Sequence, residues 1–233
     1  MDIAKLAEPV QSWITSMVES PRLIEERLLW FWHDHFATAI QKVRIPYLLW
    51  RQHLTLREHA TGSFRELLSA VSTDPAMLLY LDGARNNAEQ VNENYAREVM
   101  ELHTMGTGHY AQTDVIEAAE ALTGWVVNIP YAPAAQRFLS DYEPWEAVFI
   151  PQRHHPHPVT ILGISGRHDP ADVLDILLSQ RATAEFVFDG TCRHRRATWR
   201  NTVTEFSRRQ WKPDPHGRLP LCLCHCPGPL ARS

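Results

Sequence analysis

The sequence predicts a mainly α fold, a multi-helix orthogonal bundle with a small irregular or two-stranded insertion. Apolar residues recur at helical spacing along much of the chain, as in Phe64, Leu67, Leu68 and Val71. Helix start signals recur as well, since a proline follows an aspartate at 74–75 and again at 169–170. Residues 126–168 are rich in proline and aromatic side chains and lose the helical period, which places the insertion there.

The first two predicted helices span residues 2–19 and 21–36. One side of the first helix is apolar, with Ile3, Leu6, Val10, Trp13, Ile14 and Val18. The second helix opens at Pro21 and is apolar nearly all round, which predicts a central position. Residues 38–46 are expected to form a connection.

Later helices carry clear start and stop signals. A helix over 47–59 ends before Gly62, Ser63 is expected to cap the next one, and Asp74 caps a short helix that stops at 82–83. Further helices begin near Thr113, at Asp169 and at 182. Within the insertion, residues 148–150 and 159–162 are predicted to pair as strands around a histidine-rich segment, 153–157, for which a surface turn is favoured over a metal site.

Charge is distributed unevenly along the 233 residues. Residues 1–188 hold 14 Lys and Arg against 24 Asp and Glu, whereas residues 189–233 hold 9 against 3. An acidic body argues against nucleic acid as a partner. No apolar run reaches the roughly 18 residues of a membrane span, and the N-terminus lacks a signal-peptide pattern, so the sequence as written predicts a cytoplasmic location.

The predicted helix over residues 92–106 is the most informative segment because two stripes run along it. Asn92 suits the N-cap position, Glu93 the first turn and Gly106 the end of the helix. The largely apolar stripe contains Tyr95, Ala96, Val99, Met100, Leu102 and His103. The polar stripe contains Asn94, Arg97, Glu98 and Glu101.

Two interpretations of the polar stripe remain open. It is either a solvated helix face with weak ion pairs or a buried or cleft-lining network. In the second case Arg97 neutralises Glu93 or Glu101, and Glu98 or Glu101 acts as a base or metal ligand.

A His-x-His pair, His33 and His35, suggests a metal site at the end of the second helix. Positions two apart on a helix point about 200° away from each other, so one ion cannot take both. We therefore favour hydrogen-bonded histidines and keep the two as metal candidates only.

Several uncommon strings occur in order and together resemble the bacterial DUF1800 family, a domain of unknown function. They are Phe31 to Phe36, Leu56 to Ala60, Asp74 to Leu78, Tyr80 to Gly83, Asn92 to Gly106 and Ala121 to Trp125. The resemblance covers roughly residues 20–188 and carries no established activity. Family members are usually longer at both ends, so the chain looks like an internal fragment.

The resemblance implies a structural or functional role for several of these residues. Asn92, Glu93, Asn94 and Arg97 match its most characteristic segment, which implies a binding or structural network. The catalytic candidates are Glu98, Glu101 and Asp82; His33, His35 and Asp82 also match family positions and can approach the stripe. Family genes often neighbour genes for sulfatase-like or phosphatase-like proteins, which implies a nearby-encoded partner and an envelope or export context.

The resemblance fades after Phe186. The segment 189–233 is basic and holds all four cysteines, but the paired spacing of a zinc site is missing. Such a composition is typical of a GC-rich gene read out of frame, so we interpret 1–188 as the helical domain and 189–233 as an unstructured or frameshifted tail.

Two functions follow as hypotheses. The first is a non-catalytic helical scaffold that binds a partner protein, with the polar stripe as internal structure. The alternative is an envelope hydrolase that uses Glu98 or Glu101 with His33 or His35, and with a divalent metal ion as its possible cofactor. The sequence favours the scaffold, because it shows no nucleophile motif, phosphate loop or complete ligand set.

Overall fold

The computed structural model describes residues 7–130, 139 and 141–191, with side chains of the first helix from residue 10 onward. It confirms a mainly α fold with small antiparallel strand pairs inserted late in the chain. The chain divides into two units, Met1–Cys192 and Arg193–Ser233, and every described residue belongs to the first.

The first half of the chain is helical. In order it contains α1 (Ala7–Glu19), α2 (Leu23–His35), α3 (Ile40–Val43), α4 (Pro46–His59), α5 (Phe64–Ser72), α6 (Pro75–Tyr80), a 3-10 turn (Gly83–Arg85), α7 (Asn94–Glu98) and a π-helical segment (Val99–Thr104). The connection predicted at 38–46 therefore contains one short helix, α3.

The second half adds α8 (Gln112–Ala121), β1 (Trp125–Val127), β2 (Ala147–Phe149), a 3-10 turn (Pro151–Arg153), β3 (Val159–Ile161), β4 (Ile164–Gly166) and α9 (Pro170–Leu178). Residues 181–191 are also helical.

Both aspartate–proline start signals are confirmed. The Asp74 carboxylate accepts hydrogen bonds from the backbone N–H groups of Ala76 and Met77, at 2.9 and 3.2 Å. Asp169 caps α9 in the same way. Ser63 precedes α5 in an extended conformation but makes no side-chain cap, so that part of the prediction is wrong.

Most of the core is one apolar cluster drawn from most of the helices and from β3, and a smaller cluster contains Val43, Leu48 and Ala76. Its largest fully buried side chains include Tyr95, Phe36, Leu29, Leu56, Leu67, Leu68, Met77, Met100, Met105 and Leu122. The Tyr95 hydroxyl donates to the carbonyl of Ser72, at 3.1 Å, so the one polar atom of this buried ring is satisfied. The helix predicted to be most informative thus supplies the centre of the core through its apolar stripe.

The predicted strand pairing is wrong. β1 pairs with β2, and β3 pairs with β4, both antiparallel. Strands β3 and β4 are joined by Leu162 and Gly163, which have φ of 50° and 81° and form a two-residue turn. Leucine rarely adopts positive φ, so a turn that begins at Leu162 was not expected. The Asp114 carboxylate accepts a hydrogen bond from the Leu162 N–H at 2.8 Å.

Part of the apolar surface of the first two helices faces solvent. On α1, Val10, Ile14 and Val18 are 45%, 47% and 77% exposed. On α2, which was predicted to be central, Leu29, Phe31 and Trp32 are buried, but Leu23, Ile24 and Trp30 are exposed. We name these six exposed side chains, three on each helix, the outer apolar face.

The proposed tail begins within a helix, since residues 189–191 belong to the helical stretch 181–191. The remainder of that prediction, 192–233, lies outside the described residues. In the part of the chain that the structure describes, no helix has both the length and the apolar character needed to cross a membrane.

Candidate functional site

The predicted helix over 92–106 changes type in the middle. Its first part, α7, is α-helical, and Val99–Thr104 is π-helical. Within the π segment the Thr104 hydroxyl donates to the Val99 carbonyl at 2.7 Å, and the Met105 N–H donates to the Met100 carbonyl at 2.9 Å, both five residues back. Gly106 follows with φ of 75°, which confirms the predicted end.

Hydrogen bonds of two asparagine side chains hold the start of α7 in place. The Asn92 side chain accepts a hydrogen bond from the Asn94 N–H at 2.9 Å, so it caps the helix from two residues before its first residue. The Asn94 side chain donates to the Leu81 carbonyl at 3.0 Å. These bonds connect α7 to the chain that follows α6.

Arg97, Glu93 and Gln112 form a closed triangle between α7 and α8. Arg97 Nη2 donates to Glu93 Oε2 at 2.8 Å and to Gln112 Oε1 at 2.9 Å, and Gln112 Nε2 donates to Glu93 Oε2 at 2.7 Å. The Arg97 and Glu93 side chains are each 38% exposed. The triangle therefore lies between the two interpretations of the polar stripe. Its side chains are hydrogen-bonded to one another, as in a buried network, but they remain accessible to water.

Glu101 lies apart from this triangle. Its carboxylate accepts a hydrogen bond from the Tyr110 hydroxyl at 2.8 Å, whereas the described ion pair of Arg97 is with Glu93. Desolvation, followed by this bond to a carboxylate, raises the pKa of Tyr110 to about 12. Glu98 is half-buried and makes no hydrogen bond or ion pair with the described residues. Arg97 and Glu98 also act on Tyr110 through their charges, so these stripe residues lie near one another although Arg97 and Glu101 make different hydrogen bonds.

Replacing Arg97 with methionine is expected to lower the free energy of unfolding by about 1 kcal/mol or less, because a half-exposed helical ion pair is screened by water. Urea denaturation at pH 7.5 measures this change. Arg181→Met is the matched control, since Arg181 pairs with Glu185 at the same spacing while 90% exposed, and its loss should be smaller still. If Arg97→Met lowered the free energy of unfolding by more than about 3 kcal/mol, the triangle would be a buried network instead.

Asp82 is engaged in surface ion pairs. Its carboxylate lies 2.8 Å from Lys42 Nζ and 3.7 Å from Arg85 Nη1. These contacts connect the chain after α6 to α3. Its carboxylate is thus engaged by two cations, and the catalytic role of Asp82, Glu98 and Glu101 stays a prediction.

His33 and His35 point to different neighbours, as the helical geometry predicts. His33 Nε2 lies 2.9 Å from His53 Nδ1, whereas His35 Nε2 lies 2.9 Å from the His103 carbonyl oxygen. Burial lowers the pKa of His35, and it lowers those of His33 and His53 to about 4. Neither candidate makes a hydrogen bond or ion pair with Glu98 or Glu101 in the described part of the chain, and both are hydrogen-bonded histidines.

His35 does approach the π segment, but from its apolar side. There it packs near His103, whose ring lies 5.0 Å from that of Phe36 and whose pKa burial lowers to about 3. Across residues 7–130, 139 and 141–191, no group of three or more His, Cys, Asp or Glu side chains is arranged to hold a metal ion.

Asn86 is a buried polar residue that the sequence did not single out. Its side chain donates to the Ala119 carbonyl at 2.7 Å and accepts from the Asn92 N–H at 2.8 Å. Its own carbonyl accepts from the Gly124 N–H at 3.3 Å. It thus joins the loop before α7 to α8 and to β1. It lies in a polar segment that resembles any surface loop, so no local signal marks it.

An open cleft of about 770 Å³ lies between α1 and the helices behind it. Its floor is the ion pair between Glu26 and Arg57, in which Nη1 and Nη2 donate to Oε1 and Oε2 at 2.8 and 3.1 Å. The α1 wall presents Ser12, Thr15, Ser16 and Glu19.

These features define a helical domain whose polar stripe ties neighbouring helices together and whose first two helices leave apolar surface exposed. The family model "Protein of unknown function (DUF1800)" matches residues 2–194, and the chain therefore belongs to the DUF1800 family. No curated protein and no solved structure matches the chain.

Proposed function

We propose that the chain is a non-catalytic helical scaffold that binds a partner protein through the outer apolar face. The observation that carries the proposal is the exposure of Val10, Ile14 and Val18, which recur every fourth residue along α1. Such a row is the ridge that packs into the groove of another helix. An exposed apolar patch on a protein surface is a marker of a protein–protein contact.

The face continues from α1 to α2. The Trp13 and Trp30 rings lie 5.8 Å apart, and Trp30 is 47% exposed, so an aromatic side chain stands beside the ridge. Tryptophan is enriched among the residues that dominate interface energies. The occupant we propose is an amphipathic helix of the partner, with its apolar stripe on this face.

The polar stripe supports the scaffold. Arg97, Glu93 and Gln112 are bonded to one another across two helices, and Glu101 is bonded to Tyr110. In this proposal these side chains position α7 against α8, and the binding surface lies elsewhere. The partner we propose is a protein encoded beside this chain, of the sulfatase-like or phosphatase-like kind that the family resemblance implies.

The test is co-expression with that neighbouring protein, followed by size-exclusion chromatography with light scattering. Wild type is expected to form a complex of defined mass. Ile14→Asp and Val18→Asp should weaken it at least about tenfold, because each places a charge in an apolar contact. Both sites are exposed, so the fold itself should lose less than about 0.5 kcal/mol.

Thr107→Asp is the matched control, since it adds the same charge at an exposed site outside α1 and α2. It should leave the complex intact. Equal binding by all four proteins, or no complex with wild type, would contradict the proposal.

A further inference from the structure

Among the α1 side chains that the structure describes, Trp13 makes the main contact with the core. From residue 10 to the end of α1, no side chain is fully buried. The cleft of about 770 Å³ separates the serine-rich side of α1 from Glu26 and Arg57. A short link, residues 20–22, joins α1 to α2 and can act as a hinge. Few apolar contacts and an adjoining cleft are the marks of a locally unstable segment.

Trp13 covers a pair of histidines. Its ring centroid lies 4.5 Å from that of His33 and 4.8 Å from that of His53. The two imidazoles share one N–H···N hydrogen bond of 2.9 Å, and His53 is buried. One ring must donate and the other accept, so the pair keeps this bond only while at least one ring is neutral. The Trp13 Nε1 group is buried and has no hydrogen-bond partner among the described residues, which makes the docked position costly to hold.

We infer that α1 is an arm controlled by protonation: it docks through Trp13 on the neutral His33–His53 pair and lifts away when the pair takes up protons. The inference deepens the proposed function and rests on it for its consequence, because α1 carries half of the outer apolar face. Acidification would thus change the binding surface without any change in the core.

The surrounding charges favour release. Arg57, one turn after His53, adds positive charge beside the pair, and its own partner is Glu26 at the cleft floor. On the α1 side, the charged groups at the cleft are Glu19 and, in the link, Arg22.

A tryptophan face attracts an imidazolium, so Trp13 itself opposes release. Burial, which disfavours the charged rings, is the larger effect, because the pKa of each ring is lowered in the docked state. Trp50, which stacks on His53 at 4.7 Å, belongs to α4 and stays in place in both states.

The direction of the pH dependence follows from the two pKa values. Burial is the largest cause that lowers the pKa of each imidazole to about 4 in the docked state, from an ordinary 6.5; Arg57 adds to it and remains beside the pair when α1 lifts. Lifting removes the burial that α1 supplies, so the lifted state binds more protons, and docking is strongest above about pH 6.5 and weakens as the pH falls toward 4. Between pH 7.5 and 5.5 the docking constant should fall by up to about tenfold for one imidazole, and by up to about a hundredfold if both titrate.

Amide hydrogen exchange of the full chain measures docking without any partner. A free helix of 13 residues is marginal in water, so a lifted α1 exchanges quickly. After correction for intrinsic rates, α1 protection in wild type is expected to fall from pH 7.5 to 5.5 by the same factor as the docking constant, while α8 keeps its protection. Trp13→Ala should show low α1 protection at both pH values.

The decisive variant is His33→Gln/His53→Asn, which replaces each bonding nitrogen with a neutral amide at a similar position. Its α1 protection should be independent of pH, whereas His59→Gln, a half-buried imidazole on the same α4, should behave as wild type. Equal pH dependence in the double variant, or no pH dependence in wild type, would overturn the inference.

If the double variant does not fold, NMR titration of the wild-type imidazoles takes its place. His33 and His53 should then titrate together with the loss of α1 protection, and ordinary titration near 6.5 with α1 still protected would equally overturn the inference. If the protection of α1 does not depend on pH, the docking inference fails, but the partner-binding experiment can still succeed. The failure of the inference is therefore distinguishable from the failure of the proposed function.

Discussion

Replacing Arg57 with methionine is expected to destabilise the domain by about 2–3 kcal/mol, below the 3–5 of a fully buried pair because water reaches this one. Arg57 donates two hydrogen bonds to Glu26, whose side chain is only 6% exposed, while Arg57 itself is 39% exposed. Without the guanidinium, a buried carboxylate on α2 is left with no cation. Urea denaturation at pH 7.5 measures the loss.

The double variant Glu26→Met/Arg57→Met separates charge from packing. With both charges gone, most of the stability should return, to within about 1 kcal/mol of wild type. A double variant as unstable as Arg57→Met would show that the packing of the long side chains, rather than the unpaired charge, produces the effect.

Replacing Gly124 with alanine is expected to cost about 3 kcal/mol or more, the sum of a strained backbone and a steric overlap. Gly124 has φ of 112°, and an added Cβ would lie 2.6 Å from the Phe149 ring. That ring is held between Trp125 and His154, each with its centroid 5.5 Å away, so it has little freedom to yield. Thermal unfolding followed by circular dichroism measures the change.

Gly163→Ala is the matched control. Gly163 also has positive φ, 81°, but nothing lies within 4 Å of an added Cβ. Its loss should be about 1–2 kcal/mol, the cost of the left-handed conformation alone. Equal losses at the two glycines would mean that Phe149 moves aside and that the close approach does not constrain this turn.

Signals within a few residues of one another predicted the helices well. Asp74 and Asp169 each precede a proline and cap the helix that follows, and Gly106 ends the helix with the φ that glycine allows. These effects act within one turn, so the local sequence is sufficient. The helical separation of His33 and His35 was predictable for the same reason.

Features that depend on distant residues were not predictable. Glu101 accepts a hydrogen bond from Tyr110, nine residues away, rather than making the predicted contact with Arg97. The partners of Asn86 lie 6 to 38 residues away in sequence. No local pattern encodes such contacts, so the sequence pointed to Glu93 and Arg97 but not to Gln112 or Asn86, nor to which residues meet.

The outer apolar face shows a further limit of prediction from the sequence. Helical spacing in α1 grouped Trp13 with Val10, Ile14 and Val18, and with Ile3 and Leu6, which lie outside the described residues. In the structure Trp13 packs against the core, whereas Val10, Ile14 and Val18 are exposed. A periodic pattern states that a side is apolar, but it cannot state what covers that side. Here the same chain leaves part of it exposed, and the proposed function follows from that difference.

The affinity of the neighbouring protein for two variants tests the central claim, that this domain works through its outer apolar face rather than through its carboxylates. Calorimetric titration should give Glu98→Gln/Glu101→Gln an affinity within about twofold of wild type and Val18→Asp at least about tenfold weaker. The reverse result, with binding lost in the carboxylate variant and kept in Val18→Asp, would contradict the account and return function to the 98–101 segment.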